Sequence, residues 1–138
     1  MKLFEDTFHI ARDTRVLDVV GSMEIWQHAA VMPRLILANL PNALRPHGGG
    51  SVQVGADGCL LPFRDGEFDI VFSNSVIEHV GSAENQRAFA GEIARIGRSF
   101  WVQTPNQGFP VEQHLMVPFV HQLPKAWRPK SLIAFRLG

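Results

Sequence analysis

The stretch Val52 to Val80, VQVGADGCLLPFRDGEFDIVFSNSVIEHV, constrains the fold more than any other part of the chain. An apolar strand over Val52–Asp57 ends on an acid. A Leu61-Pro62-Phe63 turn and an Asp65-Gly66 turn follow, and a second apolar strand over Phe68–Phe72 ends on Ser73 and Asn74. Two strand ends that each carry a polar group can line one ligand crevice.

The flanking sequence extends this pattern. Arg15–Val20 (RVLDVV) is a short, continuously apolar run, as in a parallel sheet covered on both faces. Ser22 is placed to cap a helix running to about Val31, with Pro33 stopping it. Leu35–Leu40 (LILANL) reads as a second buried strand. The loop PNALRPHGGG then leaves little room for a crossover helix. Ser82 begins a further helix in which Phe89, Ile93 and Ile96 share one face, and Gly97 ends it. Ser99–Thr104 (SFWVQT) is a fifth strand, stopped by Pro105. Alternating strands and helices predict an α/β fold: a doubly wound, mostly parallel sheet in three layers. After Pro105 the spacing predicts loops with one short helix near Glu112–Val120. The expectation is a single domain over 1–138, with a core over 15–106 and a loop-rich segment over 107–138.

Composition narrows the function classes. A chain of 138 residues with 46% hydrophobic and 19% charged residues suits one soluble core. Lys+Arg and Asp+Glu are both 13, so no broad positive field attracts nucleic acid. No apolar stretch approaches the roughly 20 residues that span a bilayer, and MKLFEDTFHIARD lacks the apolar region of a secretory signal. Cys59 is the sole cysteine, which excludes an internal disulfide and fits a cytoplasmic location.

Ligands of open α/β sheets bind beyond the carboxyl ends of the strands. The residues there are Asp18 with the Gly21-Ser22 turn, Asn39, Asp57 with Gly58, and Ser73 with Asn74. One polar strand end is usually only a cap or turn. Four together point to a site.

From Arg15 to Asn106 the chain resembles the class I S-adenosylmethionine-dependent methyltransferases, and specifically their type 11 group. VLDVVGSMEIW stands where that family has a strand and glycine-rich turn, VGADGCLLPF where an acid holds the adenine amine, FDIVFSNSVIEHV at the fourth-strand motif, and WVQTPN at the fifth strand. The resemblance implies a Rossmann-like fold, S-adenosylmethionine as cofactor and a small-molecule methyl acceptor. It also implies roles. The Gly21-Ser22 backbone approaches the methionine part of the cofactor, with Asp18 orienting that turn. Asn39 meets the ribose hydroxyls, Asp57 and the Gly58 backbone meet the adenine amine, and Ser73 and Asn74 face the sulfonium side. A carboxylate suits an exocyclic amine because that group only donates.

The sequence departs from the family in two places. The alternate glycines of the first turn are replaced by Val20, Ser22 and Glu24, and Asn39 stands where many members have an acid. His79, in the Glu-His-Val position, is a candidate general base on an acceptor hydroxyl, or a hydrogen-bonded histidine at a helix start. In some relatives a Glu-x-x-Glu-His cluster binds a metal. Ser75 occupies its first position here, so no metal is expected. Glu112 and His114, with His121, are candidates for an acceptor pocket or simply exposed loop residues. Phe109, Leu115, Met116, Phe119 and Val120 among them suggest an apolar lid or a surface needing cover. Trp26, Trp101 and Trp127 read as packing residues.

Two functions follow. One is methyl transfer to a small molecule, in which aligning the nucleophile and excluding water are the protein's main tasks. The other is a methyltransferase-like module that binds without turnover, which the glycine-poor turn favours. Family members usually add two strands after the fifth, whereas Lys130–Gly138 offers at most one. An open sheet edge invites pairing with another chain, so a homodimer or another protein partner is expected.

Overall fold

The computed structural model describes residues 1–44 and 51–104, with the backbone of 111–112 and 117–118. Strands β1 (Arg15–Val19), β2 (Arg34–Asn39), β3 (Val52–Gly55), β4 (Phe68–Asn74) and β5 (Gly97–Gln103) form a parallel sheet in the order β3-β2-β1-β4-β5. The central strands are apolar on both faces because helices cover both. This gives the expected three-layer, doubly wound arrangement.

On one face lies α3 (Ala83–Ile96). Ser82 Oγ accepts from the Asn85 amide at 3.2 Å, which caps the helix as its sequence predicts. Phe89, Ile93 and Ile96 are buried and pack with Leu17, Val19, Val71 and Phe68. On the other face lie α1 (Lys2–Phe8) and α2 (Met23–Trp26). Phe4 is the centre of that layer: its ring lies 5.0 Å from Phe72, 6.0 Å from Trp26 and 5.9 Å from Trp101. The sequence reading did not anticipate α1. Its signal is the Phe4–Phe8 pair one helical turn apart, whose ring centroids are 5.4 Å apart.

Three expectations need correction. The helix after β1 ends at Trp26 rather than near Val31. Gln27 still donates to the Met23 carbonyl, but His28 and Ala29 already donate to Ile25 and Trp26, three residues back. The chain then turns so that the Ala30 amide reaches Glu5 Oε1 of α1 at 2.7 Å. Burial of Trp26 and the return to β2 outweigh helix propagation. Asp57, expected as the last residue of β3, lies two residues beyond it, in an isolated bridge to Leu60. At the described positions of the expected helix Glu112–Val120 the backbone is extended instead, in β6 (Val111–Glu112) and β7 (Val117–Pro118), paired antiparallel; 113–116 and 119–120 lie outside the described residues. β-Branched Val111 and Val117 favour extended backbone, and Pro118 is excluded from a helix interior.

The segment between β3 and β4 has no regular structure, yet it is fixed from α3. Arg95 Nη1 donates to the Phe63 carbonyl and to Asp65 Oδ1, each at 2.8 Å. Its Nη2 donates to the Leu61 carbonyl at 3.1 Å and to Glu92 Oε2 at 2.8 Å. Glu92 Oε2 in turn accepts from the Leu61 amide at 2.7 Å. One planar guanidinium thereby holds the Leu-Pro-Phe turn at several points, a geometry that lysine cannot reproduce. Arg95→Ala removes donors from half-buried carbonyls and is expected to lower stability by about 2 kcal/mol. Arg95→Lys is expected to recover less than half of the loss. Urea midpoints of the three proteins check both.

Candidate functional site

The chain runs outward from β1 to β2 and β3, then crosses back to β4 on the other side of β1. The reversal lies between β1 and β4, the place beyond the strand ends where open α/β sheets bind their ligands. Its β1 side is built on Asp18. This carboxyl is 1% exposed, and its Oδ2 accepts from Trp26 Nε1 at 2.7 Å. Burial raises the Asp18 pKa to about 7, while the indole hydrogen bond opposes the rise. Gly21 packs directly over the Asp18 carboxyl, where a Cβ would collide with it. That close approach, rather than backbone freedom, requires glycine at this position.

The two residues before and after Gly21 differ in kind. Val20 sits at φ 61°, with its side chain exposed, in a region that β-branched residues rarely adopt. Ser22 occupies the N-cap position of α2, but its side chain makes no capping hydrogen bond. Asn39 is buried at the end of β2, and its Nδ2 donates to the Gly21 carbonyl at 3.0 Å. Asp18, Gly21 and Asn39 therefore form one connected set. Sequence reasoning selected all three but missed the links among them and the part played by Trp26.

Asp57 stands exposed beyond β3, with Oδ1 accepting from the Cys59 amide at 2.8 Å. Gly58 is buried: a Cβ there would lie 2.7 Å from Phe89 Cε2 and 3.2 Å from Val19 Cγ1. The Asp57-Gly58 turn is thus pressed onto the core while the carboxylate faces outward. At the end of β4, the Ser73 hydroxyl is fully buried and has no hydrogen-bond partner among the described residues. Asn74 is half-buried. The next residue, Ser75, has φ 58°, and its amide is held by the Gln103 carbonyl at 2.7 Å.

His79 lies in a 3₁₀ turn over Ile77–His79, with its side chain 62% exposed, whereas the Glu78 side chain beside it is 4% exposed. The two approach to 3.9 Å (Nε2 to Oε1), and neither Glu78 oxygen has a hydrogen bond among the described residues. The burial of Glu78 was not legible in the Glu-His-Val motif, because a short 3₁₀ turn offers no periodicity to read. The side chain of Glu112, together with His114 and His121, lies outside the described residues. Among the described residues, no group of three His, Cys, Asp or Glu side chains is arranged to hold a metal ion. No described helix is long and apolar enough to cross a membrane.

Residues 49–99, which include β3, the Arg95-held turn, β4 and α3, match the methyltransferase domain family. The chain carries this match over 51 of its 138 residues. Its fold is similar to that of a SAM-dependent methyltransferase from Methanosarcina mazei, with TM-score 0.53 and 13% identity over 74% of this chain and 56% of that one. It is also similar to a chain from the complex of the Haloferax volcanii Trm112 methyltransferase activator with a methyltransferase. There the TM-score is 0.54, with 18% identity over 72% of this chain and 49% of that one. This chain thus spans about half the length of these solved relatives. No curated protein matches it.

The raised pKa of Asp18 makes the stability of this fold sensitive to pH. The unfolded carboxyl titrates near 3.8 and the folded one near 7, so the folded state binds the extra proton between these values. The contribution of this group is full below about 4 and is lost as pH rises through 7. Asp18→Asn keeps an oxygen for Trp26 and cannot ionise. Urea midpoints measured from pH 4 to 8 are expected to show the variant gaining on the wild type as pH rises, by up to roughly 4 kcal/mol. A constant difference across that range rules out a neutral Asp18 in the folded state at low pH.

Proposed function

We propose that this domain transfers a methyl group from S-adenosylmethionine to a small-molecule acceptor. The observation that carries the proposal is the exposed Asp57 carboxylate, just beyond a parallel strand and followed by a glycine packed against Val19 at the end of β1, in a segment that matches the methyltransferase domain family. The residues fit the cofactor. Asp57 and the Gly58 backbone would hold the adenine amine, Asn39 the ribose, and the Gly21-Ser22 backbone the methionine part, oriented by Asp18. The Ser73 hydroxyl, buried without a partner, would gain a hydrogen bond from a ligand at the β4 end, with Asn74 beside it. When bound, the cofactor supplies an electrophilic methyl group. The protein's part is to align the acceptor and exclude water.

An acceptor hydroxyl or amine must lose a proton. His79 would take it, because its imidazole is exposed beyond β4 where an acceptor can reach it, with Glu78 Oε1 3.9 Å from its Nε2. Glu112 and His114 remain candidates for acceptor contacts. The single domain over 1–138 is part of the same proposal.

A second reading rests on Val20. An exposed β-branched side chain at φ 61° occupies the turn that would approach the cofactor. A domain that binds partners without turnover accommodates it without penalty. Among the described strands, β3 and β5 are the sheet edges, and Val52 of β3 is largely exposed. Pairing through an edge would give a homodimer. The Haloferax volcanii neighbour, solved with an activator protein, supports a protein partner as the other occupant.

Titration calorimetry with S-adenosylmethionine and S-adenosylhomocysteine separates the readings. Micromolar binding is expected, with Asp57→Ala weakening it at least tenfold, or about 1.4 kcal/mol. The absence of heat at millimolar ligand favours the module. Light scattering at high protein concentration is expected to give a dimer mass, and a monomer removes the edge-pairing proposal.

A further inference from the structure

The turn after β1 is held to β2 on both sides of its strained residue. The Val20 amide donates to the Ala38 carbonyl at 2.7 Å, and the Gly21 carbonyl accepts from Asn39 Nδ2 at 3.0 Å. Between these two bonds stands the φ of 61° at Val20. A left-handed conformation in a β-branched residue is strained and persists only where its surroundings enforce it. The first bond belongs to the regular strand pairing. The second depends on one side chain, and that side chain must donate, because a peptide carbonyl only accepts.

We propose that Asn39 is a positioning residue for the Gly21 turn, and that this chain needs an amide there to keep the turn shaped for an adenosyl ligand. The ligand part of the inference rests on the proposed function; the tether itself does not. Asn39 takes over the role that successive glycines play in a turn free of strain: it holds the backbone near the ligand despite Val20. An aspartate, the residue that the family resemblance leads one to expect, would fail here. Its ionised oxygen would face the Gly21 carbonyl oxygen and could not donate to it. The titratable groups on the neighbouring elements are Asp18 on β1, Glu24 on α2 and Asp57 beyond β3, all of them acids, while Arg34 lies at the far end of β2. Among the described residues, no cation at this end of the sheet would therefore compensate a new carboxylate. Only its protonated form, with an O–H to donate, would restore the bond.

The test compares Asn39→Asp and Asn39→Ala with the wild type, each referred to the wild type at the same pH so that Asp18 titration cancels. S-Adenosylhomocysteine affinity of N39D is expected to fall at least tenfold at pH 8 and to return toward the wild-type value at pH 5, with about 1.4 kcal/mol for each tenfold. N39A is expected to be weakened equally at both pH values. Without ligand, the melting temperature of N39D is expected to drop relative to wild type as pH rises, and exchange of the Val20 amide to accelerate in N39A. N39D that binds and melts like the wild type across this range overturns the tether, and so does an equal, pH-independent loss in both variants. If N39D folds at neither pH, unchanged Val20 exchange in N39A overturns it. If the wild type itself binds no S-adenosylhomocysteine, the proposed function falls, while the melting and exchange measurements still decide the tether.

Discussion

The buried hydrogen bond between Trp26 Nε1 and Asp18 Oδ2 is the constraint on which the β1 side of the molecule depends. It fixes the end of the central strand to α2 across 2.7 Å, inside a layer where both side chains are about 1% exposed. The same indole packs edge-on against Phe4 and Phe72, so the bond also sets where α1 and β4 meet. An unpartnered carboxyl at that depth would cost several kcal/mol. The indole reduces this penalty, and the upward-shifted pKa removes much of the remainder by keeping the group neutral over part of the pH range. A glycine must follow at position 21, because the carboxyl occupies the space where any Cβ would lie. One polar pair thereby dictates the helix length, the aromatic layer and the identity of a turn residue.

The parts of the fold legible in the sequence were those governed by periodicity. Continuous apolar runs marked β1, β2 and β4. The Phe89, Ile93 and Ile96 spacing with Ser82 marked α3. Both signals are local, and both survive because tertiary packing asks for the same pattern. The failures share the opposite cause. α2 ends early because Trp26 must reach Asp18 and Ala30 must reach Glu5, contacts that span 8 and 25 residues in sequence. The Arg95 latch was invisible for the same reason. It joins α3 to carbonyls 32 and 34 residues earlier, which an i,i+3 Glu-Arg pair on a helix surface does not announce.

The candidate site was legible as a set of strand ends, because topology alone brings those ends to one rim. The partnering of each residue was not. Asp18 and Asn39 look equivalent in the sequence, each a polar residue closing an apolar run. In the structure one accepts from an indole and the other donates to a backbone carbonyl. The residues at 78 and 79 also part ways: the histidine singled out as a candidate base is exposed, and the side chain of the glutamate beside it is buried. Sequence distinguishes the chemical types of such neighbours, but a short 3₁₀ turn decides which of them faces inward.

These partnerships divide the rim into two unlike halves. On the β1–β2 side the polar groups satisfy one another, Asp18 with Trp26 and Asn39 with Gly21, so that half keeps its shape without a ligand. On the β4 side the Ser73 hydroxyl and both Glu78 oxygens are buried without hydrogen bonds among the described residues. Buried polar atoms left unpaired cost about 1–3 kcal/mol each. A ligand or acceptor that supplies donors at the end of β4 recovers that energy, whereas one that adds donors on the β1–β2 side displaces bonds already made. Selectivity for a ligand at this rim is therefore expected to come from the β4 side, which lies within the segment that matches the methyltransferase domain family, while the β1–β2 side acts as a rigid wall against which the ligand is set.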